Sequence, residues 1–325
     1  MRICDVCAGS LSLSLFLCSL PSVTRQLASM SPLVAVIGGA VSLLLAFRTN
    51  AAYNRFGQAA DSFAEVLAAT RNLSRKMAVW CPPSDRAENA RLVAAIPWAV
   101  KHRGQGVEGT SAARIELEGV LGRERTEALL QQDDEVDERC GVNGRCNNGK
   151  LPVEGRCSVN VPMRLMTAIT REIDRMNECK TELIYQLLMD NDLTVLHSHA
   201  SCTDRLASTP TPVSYSRHLS RGLVLWLFTL GTTFAAAPGC PPGWAVGPMV
   251  FLVAWLLLGI DDVAMQLEQP YTVMAVRQFC EECQHEVLAE IERSNWACRI
   301  GVSREETLEN LLLSNSNTSS SSSSG

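Results

Sequence analysis

Hydrophobic and polar positions fall along this chain in long blocks. Leu33 to Phe47 carries no charge and a single hydroxyl, Ser42, and Arg48, Thr49, Asn50, Asn54 and Arg55 follow with no Gly or Pro between them. Two further blocks, Gly222 to Pro238 and Trp244 to Ile260, are free of charge and joined by Gly239 to Gly243 (GCPPG), a turn that predicts an antiparallel helix pair. A membrane-spanning helix needs about 20 apolar residues, with a range of roughly 17 to 25. The two later blocks, 17 residues each, reach the lower end of that range and the first falls just short of it, so a bilayer span and a buried core helix are both open. Trp226, Trp244 and Trp255 lie near block ends or on one helical face, as interfacial aromatics do, and favour the bilayer.

Between these blocks the period is helical. Tyr53, Phe56, Ala60, Phe63, Leu67, Thr70 and Leu73 recur at steps of three and four, which predicts one amphipathic stripe over Ala52 to Met77. Arg55, Asp61, Glu65, Arg71 and Arg75 take the other faces, and Pro82 and Pro83 end the helix. A second helix is predicted around Arg86 to Val100, with Trp98 on its apolar side. Gly104 to Gly109 (GQGVEG) matches the GxGxxG dinucleotide pattern formally, but no strand precedes it, so it reads as a loop. That loop opens a flexible insertion over residues 104–160, whose second half is rich in Gly and Asn. Helix resumes at Pro162, where Met166, Ile169, Ile173, Met176, Leu183 and Leu187 again follow the three/four step, with Lys180 in the one polar slot. Residues 301–325 close in a serine run and read as a disordered tail. With no strand periodicity, the fold class is all-α.

Composition changes little in this picture. Apolar residues make up 46% and charged residues 19%, close to the globular norm, so only their distribution points to a membrane. A net charge of -5 gives no basis for nucleic-acid binding. Ser10 to Leu20 is an apolar run too short to span; it reads as part of a targeting segment or as the remnant of a first span, with residues 1–29 forming an N-terminal segment. Of the 13 cysteines, Cys4/Cys7 and Cys280/Cys283 have CxxC spacing, but a zinc site would need the two pairs brought together from opposite ends of the chain. No P-loop, nucleophile elbow or metal-spaced His pair is present, which argues against an enzyme, and no cofactor is expected. His197 and His199 are close in sequence and read as helix surface.

Several stretches resemble one family. FRTNAAYNRF (Phe47 to Phe56), preceded by AVSLLLA, is similar to the signature of the bestrophins, in particular their plant, algal and bacterial branch. TPTPVSYSRHLSR (Thr209 to Arg221), LLLGIDDVAMQLEQPY (Leu256 to Tyr271) and NDLTVLHSHASCTDRL (Asn191 to Leu206) resemble further family segments in family order. The resemblance implies an all-α integral membrane protein over residues 30–300, a helical subunit of a homopentameric anion channel with one axial pore. Its first span looks shortened or missing here. An alternative is a non-conducting membrane scaffold of the same fold.

The resemblance also implies site residues. Gly39, Leu43 and Phe47, one helical turn apart, map to the pore neck, where apolar side chains from each subunit form a constriction that gates by dewetting; plain packing of Leu43 and Phe47 against other helices is the alternative. Gly39 replaces a bulkier residue of many relatives and predicts a wider outer neck. Arg48 and Arg55 would draw anions to a vestibule, with a structural pairing of Arg55 to Asp261 or Asp262 equally open. Thr211 maps to a second aperture. Calcium takes six to eight oxygen ligands, and Asp261, Asp262 and Glu268 are too few to hold it, so no metal is expected. Partners are further copies of the chain, the bilayer and small anions: chloride, with bicarbonate or nitrate as candidates. A photosynthetic source would favour the thylakoid, and another source the plasma or another membrane.

Overall fold

A computed structural model describes residues 31–108, 110–130, 160–176, 183–209, 213–236 and 243–296, and among them the only regular structure is helical. The helices are α1 (Ser31–Trp80), α2 (Arg86–Gln105), α3 (Ser111–Leu121), α4 (residues 123–130), α5 (Val161–Arg175), α6 (Leu183–Ser208), α7 (Val213–Ala236), α8 (Gly243–Leu267), α9 (Pro270–Val273) and α10 (residues 276–296). They group into two compact units: residues through Ala60 with Ser208–Met274, and Asp61–Ala207 with the chain from Ala275 onward.

In the first unit the apolar block of α1 packs with α7 and α8. The 50-residue α1 runs unbroken because Pro32 sits in its first turn, where a missing N–H is harmless, and no proline follows before Pro82. Over its first 25 residues Val34, Gly38, Val41, Leu45, Arg48 and Ala52 are the buried positions and form one stripe at three/four spacing. Val41 joins Leu223, Leu227 and Ala254 in a small core against which Trp226, Val253, Leu257 and Leu258 pack. The predicted stripe holds in its second half, where Phe63, Leu67, Thr70 and Leu73 are buried, and is corrected in its first: Tyr53 is 64% exposed, and the buried line there passes through Ala52 and Ala59, one position off, because the covered face is fixed by the neighbouring helices.

Helices α1 and α8 are long and apolar enough to cross a membrane, with a mean hydropathy of 1.8 in each. Only 22% and 28% of their apolar stretches are buried within the chain. That leaves large apolar faces that water alone would not tolerate. The apolar run starting at Gly222 continues past Ala236, outside the described residues, as do Ser10 to Leu20 and Thr211.

In the second unit α2 packs against α3 and α5, and Ile96, Val100, Leu117, Leu165 and Ile169 form part of the core. Arg86 ties off the end of α1, donating from Nε to the Cys81 carbonyl at 2.8 Å, while Ser294 Oγ donates to the Ala78 carbonyl at 2.5 Å; these satisfy carbonyls that a helix end leaves open. Trp98 Nε1 donates to Gln284 at 3.0 Å.

Two expectations are corrected here. Residues 111–130, inside the predicted flexible insertion, form α3 and α4. Thr110 caps α3 by accepting from the Ala113 N–H, and Ala113, Leu117, Val120 and Leu121 are buried. The period was present but too short, among charged residues, to stand out. In the stripe that begins at Met166, Met166, Ile169, Ile173 and Met176 are buried, whereas Leu183 and Leu187 are exposed; residues 177–182, with Lys180, lie outside the described residues. The GQGVEG segment closes α2: Gly106 has φ 68°, a left-handed conformation that suits glycine, and the Val107 N–H returns to the His102 carbonyl at 3.0 Å.

Candidate functional site

The first 25 residues of α1 present two contrasting faces. The packed face carries the buried stripe. The opposite face leaves Gly39, Leu43 (56% exposed) and Phe47 (59% exposed) uncovered at i, i+4 and i+8. Among the described residues, Leu43 and Phe47 are more than half exposed.

Arg48 does not share that open face. It is 3% exposed, on the packed side, and its guanidinium meets carboxylates from α8 and the turn after it. It pairs with Asp261 and, at 3.1 Å, with Glu268, and donates to Ser220 Oγ at 3.4 Å. Ser220 in turn donates to Asp261 at 2.9 Å, and Ser216, one turn earlier on α7, donates to Glu268 at 3.3 Å. A lone buried guanidinium is untenable, and two carboxylates with the Ser220 hydroxyl compensate it. The cluster holds one cation and two anionic side chains, so a cation held this way has little charge left to offer a passing anion. This corrects the expectation for Arg48 as a vestibule charge. The Asp261 partner expected of Arg55 belongs to Arg48 instead, since Arg48 lies in register with the packed stripe. Arg55 is half-buried and donates from Nη1 to the Thr209 carbonyl at 2.8 Å. Asp262, one position round the helix, is exposed and accepts only a local bond from Gln266 at 3.2 Å.

Ser216, Ser220 and Trp226 carry roles that the sequence reading did not assign. Their signal was spacing: Ser216, Ser220, Leu223 and Leu227 form one face of α7, and Ala254 and Asp261 on α8 and Glu268 just after it follow a seven-residue step. Polar residues continuing an apolar stripe indicate a buried polar contact, and Arg48 continues the matching stripe on α1.

In the second unit, Lys101 and His102 converge on Glu116, the His102 Nε2 at 2.7 Å. Burial pushes the His102 pKa below its usual value despite that hydrogen bond. Burial also pushes the Cys280 thiol up to about 12 and the Cys283 thiol up to about 11, which makes both weak nucleophiles. Cys4 and Cys7 lie outside the described residues.

A family model described as Bacterial/Fungal Bestrophin protein matches residues 2–289. Among curated relatives, voltage-dependent chloride channel 1, chloroplastic, of Arabidopsis thaliana is 24% identical over 269 residues, covering 81% of this chain and 56% of the relative. A voltage-dependent anion channel-forming protein of Nostoc sp. is 26% identical over 279 residues, covering 83% of this chain and 77% of the relative. The chain thus spans little more than half the length of the plant relative. Among solved structures, a mutant of a bacterial bestrophin homologue from Klebsiella pneumoniae superposes with a TM-score of 0.71 at 21% identity, covering 89% of this chain and 99% of that one. With the match running over nearly the whole chain and the helical fold shared, this all-α integral membrane protein belongs to the bestrophin family.

Proposed function

We propose that the chain is a subunit of an anion channel in which five copies surround one axial pore, with Gly39, Leu43 and Phe47 of α1 lining its neck. One observation carries the reading: these residues form an exposed apolar line on a helix whose opposite face carries the buried stripe. Repeated around an axis, such a line makes a hydrophobic constriction that gates by dewetting. The names of the plant and cyanobacterial relatives, both voltage-dependent anion channels, agree with it. Chloride is the proposed permeant ion, with bicarbonate and nitrate as further candidates, and a plastid thylakoid is the proposed membrane for a photosynthetic source.

In this reading Arg48 is a positioning residue, holding Phe47 outward by locking the adjacent position inward. Arg55 keeps the anion-attracting role, and Thr211 the second aperture. Asp261 and Glu268 are engaged by Arg48, which supports a channel without a calcium clasp.

The test is anion current from purified protein in planar bilayers, wild type against Phe47→Ala. Removing a ring from every subunit of the neck is expected to raise unitary conductance. Equal conductance and selectivity in the two proteins would remove Phe47 from the pore. An assembled protein that passes no current in either form would instead support the scaffold reading.

A further inference from the structure

We propose that Trp226 of α7, seated on Gly38 of α1, sets the lateral position of the neck segment and thereby its bore; this rests on the channel reading above. The contact is closer than any side chain at position 38 would allow. A Cβ built on Gly38 would lie 2.6 Å from Trp226 Cζ2 and 2.8 Å from both Cε2 and Nε1, against an aromatic ring that cannot fold aside as a flexible chain end would. By contrast Gly39, the next residue, has nothing within 4 Å of the same built atom. Of two adjacent glycines, one is required by packing and the other faces open space.

The indole is held in place from both ends. Its Nε1 donates to the Val34 carbonyl of α1 at 2.9 Å, so the ring is bonded to the helix it packs on. Its other side rests on the core formed by Val41, Leu223, Leu227 and Ala254. Buried tryptophan N–H groups need such a partner, and small residues are what let membrane helices approach closely. Helical geometry gives the contact its leverage. At 3.6 residues per turn, Leu43 lies about 140° and Phe47 about 180° around the helix from Gly38. A push at Gly38 therefore drives α1 toward the side where its neck residues point. Trp226 acts on the pore through the helix and does not itself line it.

Opposite signs follow for two substitutions. Gly38→Ala forces α1 away from the indole and the neck inward, so unitary conductance falls several-fold and large anions lose permeability relative to chloride. Trp226→Ala removes the obstacle, and the double variant Gly38→Ala/Trp226→Ala recovers conductance lost in the single one. Trp226→Phe keeps an aromatic ring but loses the bond to Val34, and shifts the permeability ratio less than Gly38→Ala. The readouts are single-channel conductance and the iodide-to-chloride permeability ratio from reversal potentials, which do not depend on how many channels fold. A silent wild type overturns the channel reading itself. A conducting wild type with an unchanged ratio in Gly38→Ala overturns the positioning role alone, as does a double variant no better than Gly38→Ala. If Gly38→Ala yields no channels, the Trp226→Phe ratio decides: a shift supports the role and a wild-type value refutes it.

Discussion

Replacing Asp261 by Ala should cost this protein about 3 kcal/mol of stability. Asp261 is 5% exposed and accepts from both Arg48 and Ser220. Its loss leaves Arg48, itself 3% exposed, with Glu268 at 3.1 Å and a long contact to Ser220 at 3.4 Å. Breaking a buried ion pair from one side costs about 3–5 kcal/mol, mostly from the uncompensated charge left behind. Glu268 remains to share that charge, which places the expected value at the lower end. The mechanism makes a second, sharper demand. Arg48→Met/Asp261→Leu removes the arginine together with its most buried partner and leaves only Glu268, which is less buried and still accepts from Ser216, so it should recover at least about 1 kcal/mol of that loss. Equilibrium unfolding in mixed detergent micelles, followed by far-ultraviolet circular dichroism, measures all of these proteins. If Asp261→Ala unfolds within about 0.5 kcal/mol of wild type, a value typical of surface substitutions, the cluster is not buried as described. If the double variant is as unstable as the single one, charge compensation is the wrong account.

Two further outcomes concern the second unit. Because burial holds the His102 pKa below its ordinary value, the folded state binds fewer protons than the unfolded one as pH falls through about 6.5. Stability is thus full above that pH and declines below it, and His102→Gln should flatten the difference in thermal unfolding between pH 7.5 and 5.5; an unchanged slope would count against it. Cys81, Cys280 and Cys283 are buried, with thiols pushed up to about 12, about 12 and about 11. Among the described cysteines, only the half-buried Cys202 should then react with maleimide at neutral pH before unfolding, read by mass spectrometry of labelled peptides; rapid labelling of Cys280 would show that α10 opens.

Much of this was readable from residue patterns. The apolar block from Leu33 and the basic residues after it form one helix because nothing in the sequence interrupts it. The proposed neck line of Gly39, Leu43 and Phe47 came from the family resemblance, and its one-turn spacing puts the three on one helical face. What the sequence withheld was rotation. Whether Arg48 or Arg55 faces Asp261 depends on which side of α1 the neighbouring helices cover, and one position turns a side chain by about 100°. Tyr53 failed for the same reason. Trp226 was visible as an aromatic near a bilayer boundary, but its seat on Gly38 required two helices placed together. Helix α3 was missed because four buried residues among charges give too brief a period.

The Arg48 cluster also constrains how the protein is made. Arg48 and Asp261 are separated by 213 positions in the chain. At about 5–20 residues per second of synthesis, the arginine emerges roughly 10–40 s before its carboxylate partner. An arginine at the centre of a translocating helix costs about 2.5–3.5 kcal/mol, and its long side chain relieves that cost by reaching to the headgroups. The guanidinium meets its buried carboxylates only once α8 has been made, so the packed face of α1 is completed by a segment synthesised far downstream.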